Sequence, residues 1–374
     1  MYLMKSLKSR QLFSSIGLKF DTTTTENKRA RLNTGFLCNY NCEFCYYKDR
    51  LDQRDSLETI KDRIDDIYNY DIRQIDLSGG ESSIEPNWFN ILDYCMEKDM
   101  YISTISHGGH FHKKEFVQKS IDHGLKEIMF SLHGSNAEVH DKIVQRKSAF
   151  TRIIQAIRNA KEAGLLVRIN CTVYDLNHEY LKTEYITLLK ELEPHEVNFI
   201  CLNYDTDNSD FRQIDYSIIT ESIKYCIDNV KDTIKYINVR YVPYCYMIGY
   251  EKYVVNYYQH IYDIYDWNLA VYNHEINTSV KYTREEKLRH SYDAARDFRT
   301  KGYFKDEGCE GCKFYYICDG IENCLQYIEN FNGEKSQNAF AYVTQIIYFA
   351  FLRRIHKEKK QAAIKQRSIT QAGY

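Results

Sequence analysis

Proline is scarce in this chain, with Pro86, Pro194 and Pro243 the only three in 374 residues. A dominant charge is missing too, because 50 Lys and Arg stand against 52 Asp and Glu. No overall field therefore favours nucleic acid or an anionic membrane. The longest apolar helical run, 340–352, falls short of the roughly 20 residues that a bilayer-spanning helix needs. Lysines in Met1 to Arg10 are not followed by an apolar segment, so no secretory signal is read and a cytoplasmic protein is expected. No internal repeat or long linker is found. The length suits one large domain plus a smaller one.

Cysteine and tyrosine are plentiful, at 12 and 34 residues. With abundant Ile, Lys and Asn, the tyrosines read as compositional bias and not as a radical carrier. Cysteines in tight clusters, in a chain this long without a signal peptide, point to metal ligation in a reducing compartment and not to disulfides. The first cluster, Cys38-x3-Cys42-x2-Cys45, lies just beyond a predicted strand. Three thiolates this close can hold three irons of a [4Fe–4S] cube and leave the fourth open to a small molecule. Zinc usually takes four ligands as two close pairs, and it suits this spacing less well.

Apolar strand-like runs at 29–37, 72–78, 101–106, 127–132, 166–173 and 196–202 alternate with helical patterns, among them 56–68, 88–98, 150–163 and 181–191. Six βα units predict an α/β fold with a parallel sheet and right-handed crossovers, and a ligand site at the carboxyl ends of the strands. Just after the second strand comes Ser78-Gly79-Gly80-Glu81, whose glycines let the backbone approach a ligand closely. Strand alternation puts Ser131 and His133 on one face of the fourth strand, and Arg168, Asn170 and Thr172 on one face of the fifth.

The cysteine spacing, with Phe44 before the last cysteine and the Gly-Gly-Glu after the next strand, resembles the radical SAM (S-adenosylmethionine) superfamily over about 29–202. The resemblance implies an open, partial (β/α)6 TIM-like barrel. It also implies a [4Fe–4S] cluster on Cys38, Cys42 and Cys45, with SAM bound at its open iron. Reductive cleavage of SAM would give a 5′-deoxyadenosyl radical that abstracts a substrate hydrogen, with reduced flavodoxin or ferredoxin as the expected electron donor. Gly79, Gly80 and Glu81 would meet the methionine amino group, and Ser131 and Asn170 the ribose and carboxylate. Ser131-Leu-His-Gly134 and His140-Asp141 resemble peptide-modifying members. Where many relatives carry an arginine, this chain has Val144, with Arg146 two residues on. His107 reads either as a pocket donor or as an ordinary loop histidine.

A second cluster, Cys309-x2-Cys312-x5-Cys318, resembles the SPASM/twitch extensions that hold an auxiliary cluster. Cys245, after Pro243, is favoured as fourth ligand over Cys324, and a zinc knuckle is the competing reading. The expected organisation is a lead-in at 1–28, the barrel at 29–235, the auxiliary-cluster domain at 236–330, and a terminal helix with a basic tail at 331–374. Modification of a peptide or protein is the leading functional expectation. Dehydrogenation or epimerisation of a sugar, aminocyclitol or nucleoside follows it, and a non-catalytic Fe–S or zinc module ranks last. One of Cys95, Cys171, Cys201 and Cys226 would serve an epimerase as hydrogen-atom donor, although each also reads as a small core residue.

Overall fold

The computed structural model describes residues 29–45, 47–48, 51–69, 71–202 and 214–255, with short pieces at 265–266, 303–305, 309–312, 314, 318 and 321–322. The chain divides into two units, Met1–Gly320 and Ile321–Tyr374. The expected terminal helix, basic tail and Cys324 lie outside the described residues.

The first unit is built on parallel strands: β1 (Arg29–Asn33), β2 (Gln74–Ser78), β3 (Tyr101–Ser106), β4 (Leu125–Ser131), β5 (Leu166–Val173), β6 (Glu196–Cys201) and β7 (Tyr236–Arg240). They lie side by side in chain order, and a two-residue strand, Tyr265–Asp266, flanks β1. Helices α1 (Leu57–Asn69), α2 (Trp88–Glu97), α3 (Lys114–Asp122), α4 (Ala137–Val144), α5 (Ala149–Glu162), α6 (Glu184–Leu192) and α7 (Tyr216–Val230) supply the crossovers. This is the expected α/β half-barrel. The sequence reading counted six βα units, and a further strand-like run that it places at 237–242 joins the same sheet as β7, parallel to β6.

Alternation along each strand gives the sheet two unlike faces. Ala30, Leu32, Ile75, Leu77, Ile128, Phe130, Val167, Ile169, Val197 and Phe199 are all buried on the helix side. Each large side chain there contributes about 1.5–3 kcal/mol of burial. The other face, which lines the barrel, is polar. Arg29 lies 3.5 Å from Asp76 and 3.4 Å from Glu127, and Arg168 pairs with Glu127 and sits 3.7 Å from Glu196. Tyr101 donates to Glu127 at 3.0 Å, and Ser103 donates to Asp76. These ions lie in the N-terminal half of the strands, where they make a cross-linked floor and leave the opposite end for the site.

Caps fix the helices near the site. Asn136 accepts the Val139 N–H at 3.0 Å to start α4. The Asp141 carboxylate accepts the Ser148 and Phe150 N–H groups at 2.6 and 2.8 Å, so α4 carries the N-terminal anchor of α5.

Candidate active site

The three-cysteine loop leaves the carboxyl end of β1 and is held by its backbone from two sides. On one side it meets the turn after β2: Gly80 N–H donates to Gly35 O at 3.2 Å and Glu81 N–H to Leu37 O at 2.8 Å. On the other it caps α4, with Glu43 N–H donating to Ile143 O at 2.9 Å and Asn41 N–H to Val144 O at 3.3 Å. Those carbonyls belong to the last helical turn and would otherwise lack partners. Phe44 packs edge-on against His133 and Tyr174, with centroids 4.9 and 5.7 Å away, and the Tyr174 hydroxyl donates to Glu43 at 3.1 Å.

Cys38, Cys42 and Cys45 are all half-buried. Burial pushes the Cys38 thiol up to about 12, with Glu81 and Cys45 adding to the shift. Burial and the neighbouring Cys38 and Cys45 push Cys42 up as well. The three thiols are thus within electrostatic reach of one another on one loop. Among the described residues, no three His, Cys, Asp or Glu side chains converge as ligands of a single ion would. Three neighbouring thiols on one loop are the donor set that a cube with one open iron takes. Binding to iron would also stabilise thiolates that burial alone disfavours.

The glycines of Gly79-Gly80 have a duty that the sequence did not reveal. A Cβ on Gly79 would lie 2.0 Å from Gly35 O, and one on Gly80 would lie 2.2 Å from Phe36 O and 2.3 Å from Leu37 O. What approaches closely here is the cysteine loop's own backbone. The Glu81 side chain, 2% exposed, also turns inward. Its carboxylate accepts from Ser83 N (3.3 Å), Ser83 Oγ (2.5 Å), Ser106 Oγ (2.7 Å) and His107 N (2.8 Å). It therefore ties the β2 turn to the end of β3 and meets the solvation needs of a buried anion.

Three buried histidines surround this junction. His107 stacks on Tyr40 of the cysteine loop with centroids 3.6 Å apart, and its Nδ1 accepts the Gly109 N–H at 3.2 Å. His133 Nδ1 accepts the Thr172 N–H at 3.1 Å, and His133 N–H donates to His140 Nδ1 at 3.2 Å. Each ring uses Nδ1 as an acceptor, which places the neutral imidazole's proton on Nε2. Burial holds His133 down to about 3 and His140 down to about 4, and it lowers His107 as well.

Ser131 and Asn170 stand directly opposite each other in the β4–β5 register, on the barrel-lining face and half-buried. His133 falls just beyond the end of β4, in the β4–α4 connection. Arg146 is exposed; with the half-buried Arg152 of α5, it lies within charge reach of Tyr40 and His107. Arg152 was not singled out by the sequence reading. Cys171 and Cys201 lie on the helix side of β5 and β6, Cys95 on α2 and Cys226 on α7, all four buried. None of these four thiols faces the barrel interior.

Farther along, Pro243-Tyr244-Cys245 follows β7. Tyr244 is fully buried and stacks on Phe314 at 4.9 Å, and Cys309 and Cys312 lie near Cys245. Burial raises the Cys245 thiol, and the neighbouring Cys309 and Cys312 raise it further. Cys309, Cys312 and Cys318 are half-buried and Cys245 is exposed.

Two predictions follow from the packing of the site. Gly80→Ala forces backbone apart and should lower unfolding free energy by about 3 kcal/mol or more in urea titration. Gly164→Ala, with a left-handed backbone but nothing within 4 Å of the added Cβ, should lose only about 1–2 kcal/mol; equal losses would refute the contact. Buried neutral histidines also make stability depend on pH. Below the ordinary value of 6.5 the unfolded chain takes up protons that folded His133 and His140 refuse until about 3 and about 4. Stability should therefore fall as pH drops through that window, by about 1.4 kcal/mol per pH unit for each histidine. His140→Asn, which can still accept from His133 N–H, should remove about half of this slope; an unchanged slope would show that folded His140 is protonated.

Comparison with known proteins agrees with this geometry. Residues 32–183 match the model of the Radical SAM superfamily. The subtilosin biosynthesis protein AlbA of Bacillus subtilis is 28% identical over 143 residues, 37% of this chain and 32% of AlbA. The mycofactocin maturase MftC of Mycolicibacterium smegmatis is 26% identical over 131 residues, 34% of this chain and 33% of MftC. A GTP 3′,8-cyclase of Aliarcobacter butzleri is 26% identical over 145 residues, 36% of this chain and 43% of the cyclase. The matched stretch thus spans about a third to less than half of these relatives' own length. The crystal structure of Streptococcus suis SuiB bound to precursor peptide SuiA superposes with a TM-score of 0.60 at 14% identity, covering 90% of this chain and 80% of that one, a likeness of fold. Among the described residues no helix is long and apolar enough to cross a membrane. The Radical SAM superfamily is the family that the cysteine loop, the half-barrel and the match over 32–183 together support.

Proposed function

We propose that this chain is a radical SAM oxidoreductase that modifies a peptide or protein. The observation that carries the reading is the cysteine loop, clamped by backbone contacts to the Gly79-Gly80 turn and to α4 at the carboxyl end of the barrel strands. Cys38, Cys42 and Cys45 would hold the [4Fe–4S] cluster. When bound, the cluster and SAM supply the electron and the 5′-deoxyadenosyl group with which a substrate hydrogen is removed. The chain's own parts bind, orient and exclude water. The backbone of Gly79 to Glu81 lies beside the loop to receive the methionine end of SAM, and Ser131 and Asn170 receive the ribose and carboxylate. Buried Tyr40 and Tyr174, with half-buried Phe44, keep solvent from the thiols.

A peptide substrate is supported by the names of AlbA and MftC and by the SuiB fold with its bound precursor peptide. Cys95, Cys171, Cys201 and Cys226 lie away from the barrel interior, which supports dehydrogenation or bond formation over an epimerisation that takes its hydrogen atom from one of these four. The auxiliary cluster is assigned to Cys245, Cys309, Cys312 and Cys318. The stack of Tyr244 on Phe314 supports Cys245 as its fourth ligand. A cytoplasmic location and a reduced flavodoxin or ferredoxin as donor belong to the same reading.

Cys42→Ala should abolish dithionite-driven formation of 5′-deoxyadenosine, and retained formation would remove the cluster assignment. Cys245→Ala should leave SAM cleavage intact while speeding loss of auxiliary-cluster iron to a chelator, because one iron is left without a thiolate. An unchanged rate of iron loss would move the fourth ligand away from Cys245.

A further inference from the structure

Beyond Ser131 and Asn170, the register brings together residues that the reading above leaves without a task. Ser131, Asn170, Asn198 and Asn238 stand opposite one another across β4, β5, β6 and β7, all on the barrel-lining face. This polar row lies toward the site from the Arg168, Glu127 and Glu196 floor. Its β4–β5 half is assigned to SAM, and its β6–β7 half is an amide pair whose orientation is dictated from below.

Asn198 is 1% exposed, and all of its hydrogen-bonding groups are engaged. Its Nδ2 donates to Glu196 Oε1 at 2.8 Å and meets Met129 Sδ at 3.5 Å. A carboxylate only accepts, so the amide nitrogen must face Glu196 and the amide oxygen must face away. That oxygen accepts from Asn238 Nδ2 at 3.0 Å. Asn238 is therefore turned in its own right: one N–H is held by Asn198, while its Oδ1 and second N–H have no partner among the described residues. Asn238 itself is half-buried, on the lining face of β7.

We propose that Asn238 reads the substrate by pairing with the backbone N–H and C=O of one extended residue, an inference that rests on the peptide-modifying reading. In an extended segment the N–H and C=O of one residue point to the same side, the complement of the free Oδ1 and N–H of Asn238. A carboxylate would set oxygen against Oδ1, and a sugar hydroxyl needs no such paired arrangement. The ionic groups of the floor below are engaged with one another. Asn198 is the positioning residue, and Glu196 fixes the direction of the chain of amides.

The test uses the full-length protein with iron and sulfide reconstituted, SAM bound and asparagine labelled with 15N. The probes are the peptide Ac-Ala-Ala-Ala-NH2 and, for hydroxyl recognition, methyl glucoside. The Asn238 side-chain NH2 signal, assigned by its loss in Asn238→Ala, should shift with the peptide and stay in place with the glucoside. Asn238→Ala should weaken peptide binding by about tenfold or more, since a site built to pair an amide loses both partners. Asn198→Ala should move the Asn238 signal with no probe present, which a passive packing role would not do. Equal shifts with both probes, or no shift with the peptide while SAM binds, would overturn the proposal. A loss of SAM affinity in Asn238→Ala would overturn it too, placing the residue on the cofactor side. Failure of the wild type to bind SAM would instead bring down the radical SAM reading, and this inference with it.

Discussion

Backbone contact between the three-cysteine loop and the turn after β2 is the constraint on which the rest of the site depends. Carbonyl oxygens of residues 35–37 occupy the space that side chains at Gly79 and Gly80 would need. Two strand ends are thereby fused into one surface, with thiols on one part and half-buried turn backbone on the other. The inward Glu81 carboxylate extends the fusion to β3 through Ser106 and His107, and α4 closes it from the far side. A cofactor that must touch both the thiols and the turn needs both held at fixed separation, and main-chain contacts do this more rigidly than side chains can.

The barrel beneath is organised by polarity. Apolar residues on the helix side provide the stability, while the lining face carries ions at the floor and neutral polar groups nearer the site. Engaging Arg29, Arg168, Asp76, Glu127 and Glu196 with one another ties these charges to the floor. The same ions orient what lies above them, as the path from Glu196 through Asn198 to Asn238 shows. Floor and specificity wall are in this sense one hydrogen-bonded structure.

Much of this was legible in the sequence because it rests on local pattern. All seven strands were found near their observed places, since apolar runs with period two mark the helix-facing side. The cysteine loop and the Gly-Gly-Glu turn, expected to form the site, lie side by side, and alternation put Ser131 and Asn170 on the lining face. Contacts between distant segments were not legible. Glycines at 79 and 80 read as room for a ligand, whereas the carbonyls they accommodate lie more than 40 residues earlier in the chain. Glu81 read as a ligand contact, yet Ser83, Ser106 and His107 hold its carboxylate. Asn198 and Asn238 were passed over although each interrupts an apolar strand with an amide; their meaning emerges only when the register sets them beside Asn170. Cys245 was favoured from its place after the barrel, and the stack of Tyr244 on Phe314 gives that choice a physical cause.

The central claim is that Cys38, Cys42 and Cys45 hold a cluster of their own, separate from that of the later cysteines. It is tested most directly by iron and sulfide analysis of anaerobically reconstituted protein beside a Cys38/Cys42/Cys45→Ala triple variant. The account predicts about eight irons per chain in the wild type and about four in the variant. Equal iron in the two proteins would contradict it, because the loop would then hold no cluster.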